Sequence, residues 1–344
     1  MKIELAPQEL DELYTLVAKV RSQFTSFEDS DFLITLHEHA RRLPSRIYRE
    51  LNQFKYKPGP RARLLIDGLP INDAALGPTP AKWGGEDTVS RCLDQCLVAC
   101  LYSAVLGDLF AWSTQQDGKV IHDVFPIRKD ENEQLGTGSL QDISWHIEDA
   151  FHEFRGDYCA FFCLRNPDNV PTTVGTPDFS QLTDDELDEL FTPQFLIKPD
   201  NSHLPQHESE SRRLARIEQQ SEVIEHSYQQ MVLRRSEPES IAVLFGNRSE
   251  PFIRIDPYFM STPSQAKAAA ALAKLIQLIE DAIEDAVLQP GEIMLMDNYR
   301  MVHGRRKFKP RYDGTDRWFK RINITRDLRR SAAMRSRIES HVML

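Results

Sequence analysis

The stretch SWHIEDAFHEFRGDY, residues 144–158, sets His146 and Glu148 one residue apart, directly ahead of the apolar run YCAFFCLR at 158–165. In extended chain, positions i and i+2 face the same side, so an imidazole and a carboxylate at this spacing can reach one metal ion at about 2.0–2.2 Å. Alone, such a pair is more often a hydrogen-bonded surface pair. A distant segment supplies what it lacks: in LQPGEIMLMDNYRMVHGRRKFKPRYDGTDRWFKRINI, residues 288–324, His303 follows an apolar strand and the turn-like DNYR.

Working outward, short β-rich runs occur at 62–70 (ARLLIDGLP), 158–165, 240–246 (SIAVLFG), 251–256 (PFIRID), 293–297 (IMLMD) and 318–324 (WFKRINI), each bounded by turn residues. Helical spacing of Leu10, Leu13, Val17, Val20 and Phe24 behind Pro7 predicts an N-terminal helix. Further helices are predicted over Cys92–Leu106 and over the Ala-rich segment 265–287, which Pro290 and Gly291 close. Scattered short strands with helices in front and one inserted late predict an α+β fold. Its core would be an antiparallel jelly roll (double-stranded β-helix), flanked by N-terminal and inserted helices, within a single domain over 1–344. The polar, charged stretch at about 198–236 suits a mobile lid insertion, and an ordinary surface insertion would have the same composition.

Across 344 residues the formal net charge is −10, which works against nucleic-acid or anionic-membrane partners, since both require a basic surface. A small molecule is the better partner, and a cationic one suits this charge. No apolar run reaches the roughly 20 residues that span a bilayer, and MKIELAPQEL lacks the charged-then-apolar order of a signal peptide. A cytoplasmic location is therefore expected; the oligomeric state is not readable. Cys92, Cys96 and Cys100 form one stripe of a helix, and Cys159 and Cys163 share a strand face. None has paired zinc spacing, so all five read as reduced structural thiols. His37 and His39 sit two apart in a helical segment, on different faces, and His122, His152, His203, His207, His226 and His341 have no evident partner.

Two histidines and one carboxylate on one face leave coordination positions open, the facial triad of non-haem Fe(II) oxygenases. Those positions must take O2 and a co-substrate. 2-Oxoglutarate chelates through its 2-oxo carboxylate, and its far carboxylate needs a guanidinium fork worth roughly 1.5–3 kcal/mol. Arg317, on what reads as the strand after His303, is the candidate. A zinc hydrolase could use the same three ligands but would have no use for Arg317, and a non-catalytic β-barrel binding module would bind no metal tightly.

Several long blocks, in order, carry a resemblance: GDLFAWSTQQDGKVIHDVFPI, WHIEDAFHEFRGDY, LRNPDNVPTT, FLIKPDNSHL and HGRRKFKPRYDGTDRWFKRIN. Together they resemble the clavaminate-synthase-like branch of the Fe(II)/2-oxoglutarate oxygenases, and within it hydroxylases of free L-arginine. The resemblance implies iron held by His146, Glu148 and His303, with glutamate where many relatives outside this branch have aspartate. It implies 2-oxoglutarate held by Arg317 and Thr172, and a substrate α-carboxylate forked by Arg321, four residues on. Gln115 resembles the residue that meets the α-amino group, and Asp200 and Ser202 resemble lid residues over the substrate side chain. At the guanidinium end, relatives carry D-G-D, whereas RIDPYF keeps Asp256 and has Tyr258 at the second position. The implied reaction is hydroxylation of an unactivated β or γ carbon of L-arginine or an arginine derivative, with release of succinate and CO2. Desaturation, cyclisation, or hydroxylation of lysine or asparagine are the variants this branch allows.

Overall fold

The structure is a computed structural model that describes residues 1–83, 87–210, 212–214 and 222–344. Two sheets form its core. The larger runs in the order Lys2–Glu4, Arg63–Asp67, Ile293–Asp297, Tyr158–Arg165, Trp318–Thr325, Asp108–Trp112 and Val342–Met343, with Ile121–Val124 also paired to Trp318–Thr325. The smaller runs Glu284–Ala286, Thr172–Gly175, Val302–Arg305, Ile143–His146. Every pairing is antiparallel except the two that add Lys2–Glu4 and Val342–Met343 at the edges of the larger sheet. This is the jelly-roll core expected from the strand pattern.

The central strand Tyr158–Arg165 is buried at every position, which explains why its sequence is a continuous apolar run and does not alternate. One face packs inward: Phe161, Cys163, Met294, Met296 and Phe319 of the larger sheet meet Val174 of the smaller. The opposite face, with Ala160, Phe162, Leu164, Ile322 and Ile324, is covered by helices Pro7–Arg21, Ser30–Ala40, Ser45–Tyr56 and Leu93–Leu106. The smaller sheet is backed by helix Ala266–Ala282, whose Leu272, Leu275 and Ile279 pack with Val302 and Ile147. All five cysteines are free and buried, as their apolar neighbours implied.

Three boundaries differ from the sequence reading. The Ala-rich helix stops at Ala282, because Glu284–Ala286 turns extended and pairs with Thr172–Gly175; the ladder overrides a helix-favouring composition. The run at 240–246 splits into Ser240–Ile241 and Leu244–Asn247, and the latter makes a hairpin with Glu250–Ile253. That hairpin ends before Asp256, which lies in the turn beyond it. No helix among the described residues is long and apolar enough to cross a membrane.

Candidate metal centre and ligand cavity

The smaller sheet puts His303 directly opposite His146 on adjacent antiparallel strands, with ring centroids 4.6 Å apart. Glu148 lies just past the end of the Ile143–His146 strand, in a turn, and not on a continuing strand as its spacing suggested. Its peptide is held instead by Asn298: the amide oxygen accepts from Glu148 N at 2.9 Å, while Nδ2 donates to the carbonyls of Glu148 at 3.0 Å and Gly156 at 2.9 Å. Glu148 Oε2 consequently sits 3.2 Å from His303 Nε2 and 3.7 Å from His146 Nε2. His146 Nδ1 donates to the Ser144 carbonyl at 2.8 Å, which leaves the Nε2 lone pair for a metal. These three side chains have donor atoms within 4.8 Å of one another, the clustering a single ion requires.

The charges around the triad fit that use. Burial pushes the Glu148 carboxyl up, but Arg321 and the two imidazoles outweigh it and hold it well below the usual carboxylate range. Without a metal His146 is raised to about 9: burial opposes, and the carboxylates of Glu148 and Asp256 prevail, so a metal ion takes the place of a proton on Nε2. Burial lowers His303.

Every residue singled out in the sequence lines the same cavity: Gln115, His146, Glu148, Thr172, Asp200, Ser202, Asp256, His303, Arg317 and Arg321. Arg317 and Arg321 do so although the strand bulges between Trp318 and Phe319. Arg317 stacks on the Phe319 ring, 3.8 Å from its centroid, and reaches Thr172 Oγ1 at 3.5 Å. It is 5% exposed, its Nε has no partner, and no carboxylate among the described residues pairs with it. Burial pushes its guanidinium down to about 10, which leaves it a cation at neutral pH.

Arg321 donates to Glu148 Oε1, to Gln115 Oε1 at 3.0 Å and to His122 Nδ1 at 2.7 Å. Gln115 Nε2 in turn donates to Ser202 Oγ at 2.6 Å, and the Ser202 hydroxyl donates to Asp200 Oδ1 at 2.5 Å. Asp256 is 8% exposed and, among the described residues, accepts only from the backbone N–H of Tyr258 and Phe259. Burial raises its carboxyl to about 6, against the pull of His146. The Tyr258 ring is 56% exposed at the rim.

Sequence reasoning missed four supports. Asn298 stands in the DNYR turn. Arg305 follows His303 by two residues and lines the cavity, a placement the period of two could have revealed. His122, read as unpaired, faces Arg321 across the ladder. His203, also read as unpaired, is fully buried, with Nε2 3.0 Å from Asp149 Oδ1 and Nδ1 2.8 Å from Thr114 Oγ1. Asp149 also accepts from Trp112 Nε1 at 2.6 Å, so these contacts form a hydrogen-bonded chain beside the triad.

A two-sheet jelly roll with a His-x-Glu…His cluster and a buried arginine beside it defines the architecture of a metal-dependent oxygenase. The chain belongs to the taurine catabolism dioxygenase TauD, TfdA family, whose model matches residues 103–323. It is 37% identical over 335 residues to enduracididine beta-hydroxylase of Streptomyces hygroscopicus, covering 97% of each chain. It is 39% identical over 350 residues to the L-ornithine/L-arginine 3-hydroxylase of Catenulispora acidiphila, covering 99% of each. The crystal structure of the non-heme iron oxygenase OrfP in complex with Fe, succinate and (3S)-hydroxy-L-Arg matches with a TM-score of 0.91 at 38% identity, over 100% of both chains. OrfP with Fe and alpha-ketoglutaric acid matches over the same extent, at a TM-score of 0.86 and 38% identity.

Proposed function

We propose that this protein is a non-haem Fe(II)/2-oxoglutarate-dependent hydroxylase that acts on an unactivated β or γ carbon of free L-arginine or an arginine derivative, releasing succinate and CO2. The carrying observation is Arg317, a buried guanidinium without an anionic partner among the described residues, in the same cavity as the triad. An uncompensated buried cation is costly, and an anionic co-substrate would complete it. A zinc hydrolase leaves that cation unexplained. The complexes of OrfP with Fe and alpha-ketoglutaric acid, and the hydroxylase names of the two relatives, support the same reading.

The donor set suits iron: two imidazoles and one carboxylate, with His146 fixed in the metal-binding tautomer by the Ser144 carbonyl. Bound iron, 2-oxoglutarate and O2 supply the oxidising chemistry. The protein supplies position. Arg317 and Thr172 take the far carboxylate of 2-oxoglutarate. Arg321, anchored by Glu148 and His122, forks the substrate α-carboxylate, and Gln115 meets the α-amino group. Asp256, with no side-chain partner among the described residues, receives the guanidinium, and Asp200 and Ser202 close over the side chain. In this reading the whole chain serves as a single oxygenase domain and the 198–236 segment acts as its lid; residues 211 and 215–221 of that segment lie outside the described residues. The protein works in the cytoplasm on a small molecule, with no nucleic-acid or membrane partner.

The test is succinate formation with Fe(II), ascorbate and a panel of L-amino acids led by arginine, with mass spectrometry of the product. A product heavier by one oxygen, formed with one succinate, is expected from arginine or an arginine derivative. No succinate with any amino acid would remove the reading. His303→Ala should abolish turnover while the protein stays folded by circular dichroism.

A further inference from the structure

Arg305 stands on the Val302–Arg305 strand opposite Thr172, the residue that touches Arg317. It is 3% exposed and lines the cavity. Its Nη1 donates to the Gly138 carbonyl and its Nη2 to the Gln141 carbonyl at 3.0 Å, while Nε has no partner among the described residues. No ion pair joins Arg305 to a carboxylate among the described residues. Burial first, and then the nearby charge of Arg317, act against its charged form, while Asp142 supports it. Two guanidinium cations thus both adjoin Thr172 in a buried wall; among the described residues their direct partners are neutral carbonyls, a hydroxyl and the aromatic rings of Phe308 and Phe319, and Asp142 acts on Arg305 from beyond ion-pair distance. Such a pair destabilises the empty protein, and an anion placed beside both relieves it.

We propose that Arg305 is a second co-substrate-binding cation, acting with Arg317 so that the cavity selects a 2-oxo acid bearing a second carboxylate over a monocarboxylic 2-oxo acid. This rests on the 2-oxoglutarate reading above. Arg317 carries the direct contact with the far carboxylate; Arg305 adds charge behind Thr172 and fixes the 138–141 wall through its two carbonyl bonds. Selection arises because a monocarboxylic 2-oxo acid spends its one charge at the metal and offers these cations nothing.

The experiment is calorimetric titration of the Mn(II)-loaded protein, which needs no turnover, with 2-oxoglutarate and separately with 2-oxobutanoate. Wild type, Arg305→Met, Arg305→Lys and Arg317→Met are compared, and thermal melts report folding. Arg305→Met should weaken 2-oxoglutarate by about tenfold or more, the equivalent of one charge-assisted contact, and leave 2-oxobutanoate within about twofold. Arg305→Lys keeps the charge but cannot make both carbonyl bonds, and should recover most of the lost affinity. Equal loss for both acids, or a lysine variant as weak as methionine, would overturn the proposal in favour of a purely structural Arg305. So would unchanged 2-oxoglutarate affinity in Arg305→Met with strong loss in Arg317→Met, an outcome that leaves the 2-oxoglutarate reading standing. If neither substitution changes 2-oxoglutarate binding, that reading falls and Arg305 with it.

Discussion

Asn298 shows how much of the centre depends on groups that touch no ligand. Its amide satisfies both backbone groups of Glu148 in a buried turn. Asn298→Ala strands a buried N–H and two carbonyls, which should cost about 1–3 kcal/mol and release the Glu148 carboxylate from its aim. A lower melting temperature together with weaker Mn(II) binding is expected; a lower melting temperature alone would limit Asn298 to stability. Asp256 gives a pH signature. Its carboxyl, raised to about 6 by burial, gains a proton as pH falls through that value, and a neutral acid cannot hold a guanidinium as a charged pair. The KM for arginine should therefore rise below pH 6, while the KM for 2-oxoglutarate changes little. Asp256→Asn should show a high KM with that rise removed, and a wild-type profile in this variant would take Asp256 out of the site.

At the scale of elements, the Val302–Arg305 strand is the crowded one. A Cβ at Gly304 would lie 2.5 Å from the Ile143 carbonyl oxygen and 2.8 Å from Thr173 Oγ1, so the flanking strands close on bare backbone there. Gly304→Ala should wedge the His146 and His303 strands apart, costing about 1–3 kcal/mol and lowering metal affinity. Mn(II) titration and thermal melts would report both. This strand also marks where sequence reasoning succeeded and where it stopped. His146 and Glu148 were legible as ligand types two apart, Arg317 as a cation on the strand after His303 and Arg321 through the resemblance of whole blocks, although a turn after His146 and a bulge after Trp318, not one continuous extended face, bring them together. Partners chosen by the fold were not: Asn298 reaches Glu148 across 150 residues, and the Asp149–His203 contact spans 54. The end of the Ala-rich helix was equally hidden, since Glu284, Asp285 and Ala286 suit a helix locally and turn extended only because Thr172–Gly175 offers them a ladder.

Over the whole molecule, helix packing and ligand chemistry lie on opposite sides of the larger sheet. Leu101, fully buried in the Leu93–Leu106 helix, belongs to the cluster that covers the outer face. Leu101→Ala should destabilise by about 2–5 kcal/mol and leave both KM values within about twofold. A changed KM would mean that the sheet transmits strain from its helical face to the cavity. The order of the chain carries a consequence for synthesis. Glu148 waits for His303, 155 residues later, and for Arg321, 173 residues later, while Thr172 waits 145 residues for Arg317. A nascent chain that has not passed His303 holds one histidine and one carboxylate of the triad, a poor chelator. Tight iron binding is therefore expected only once His303 has joined the other two ligands in the sheet, and iron uptake by a refolding chain would report that this pairing has formed.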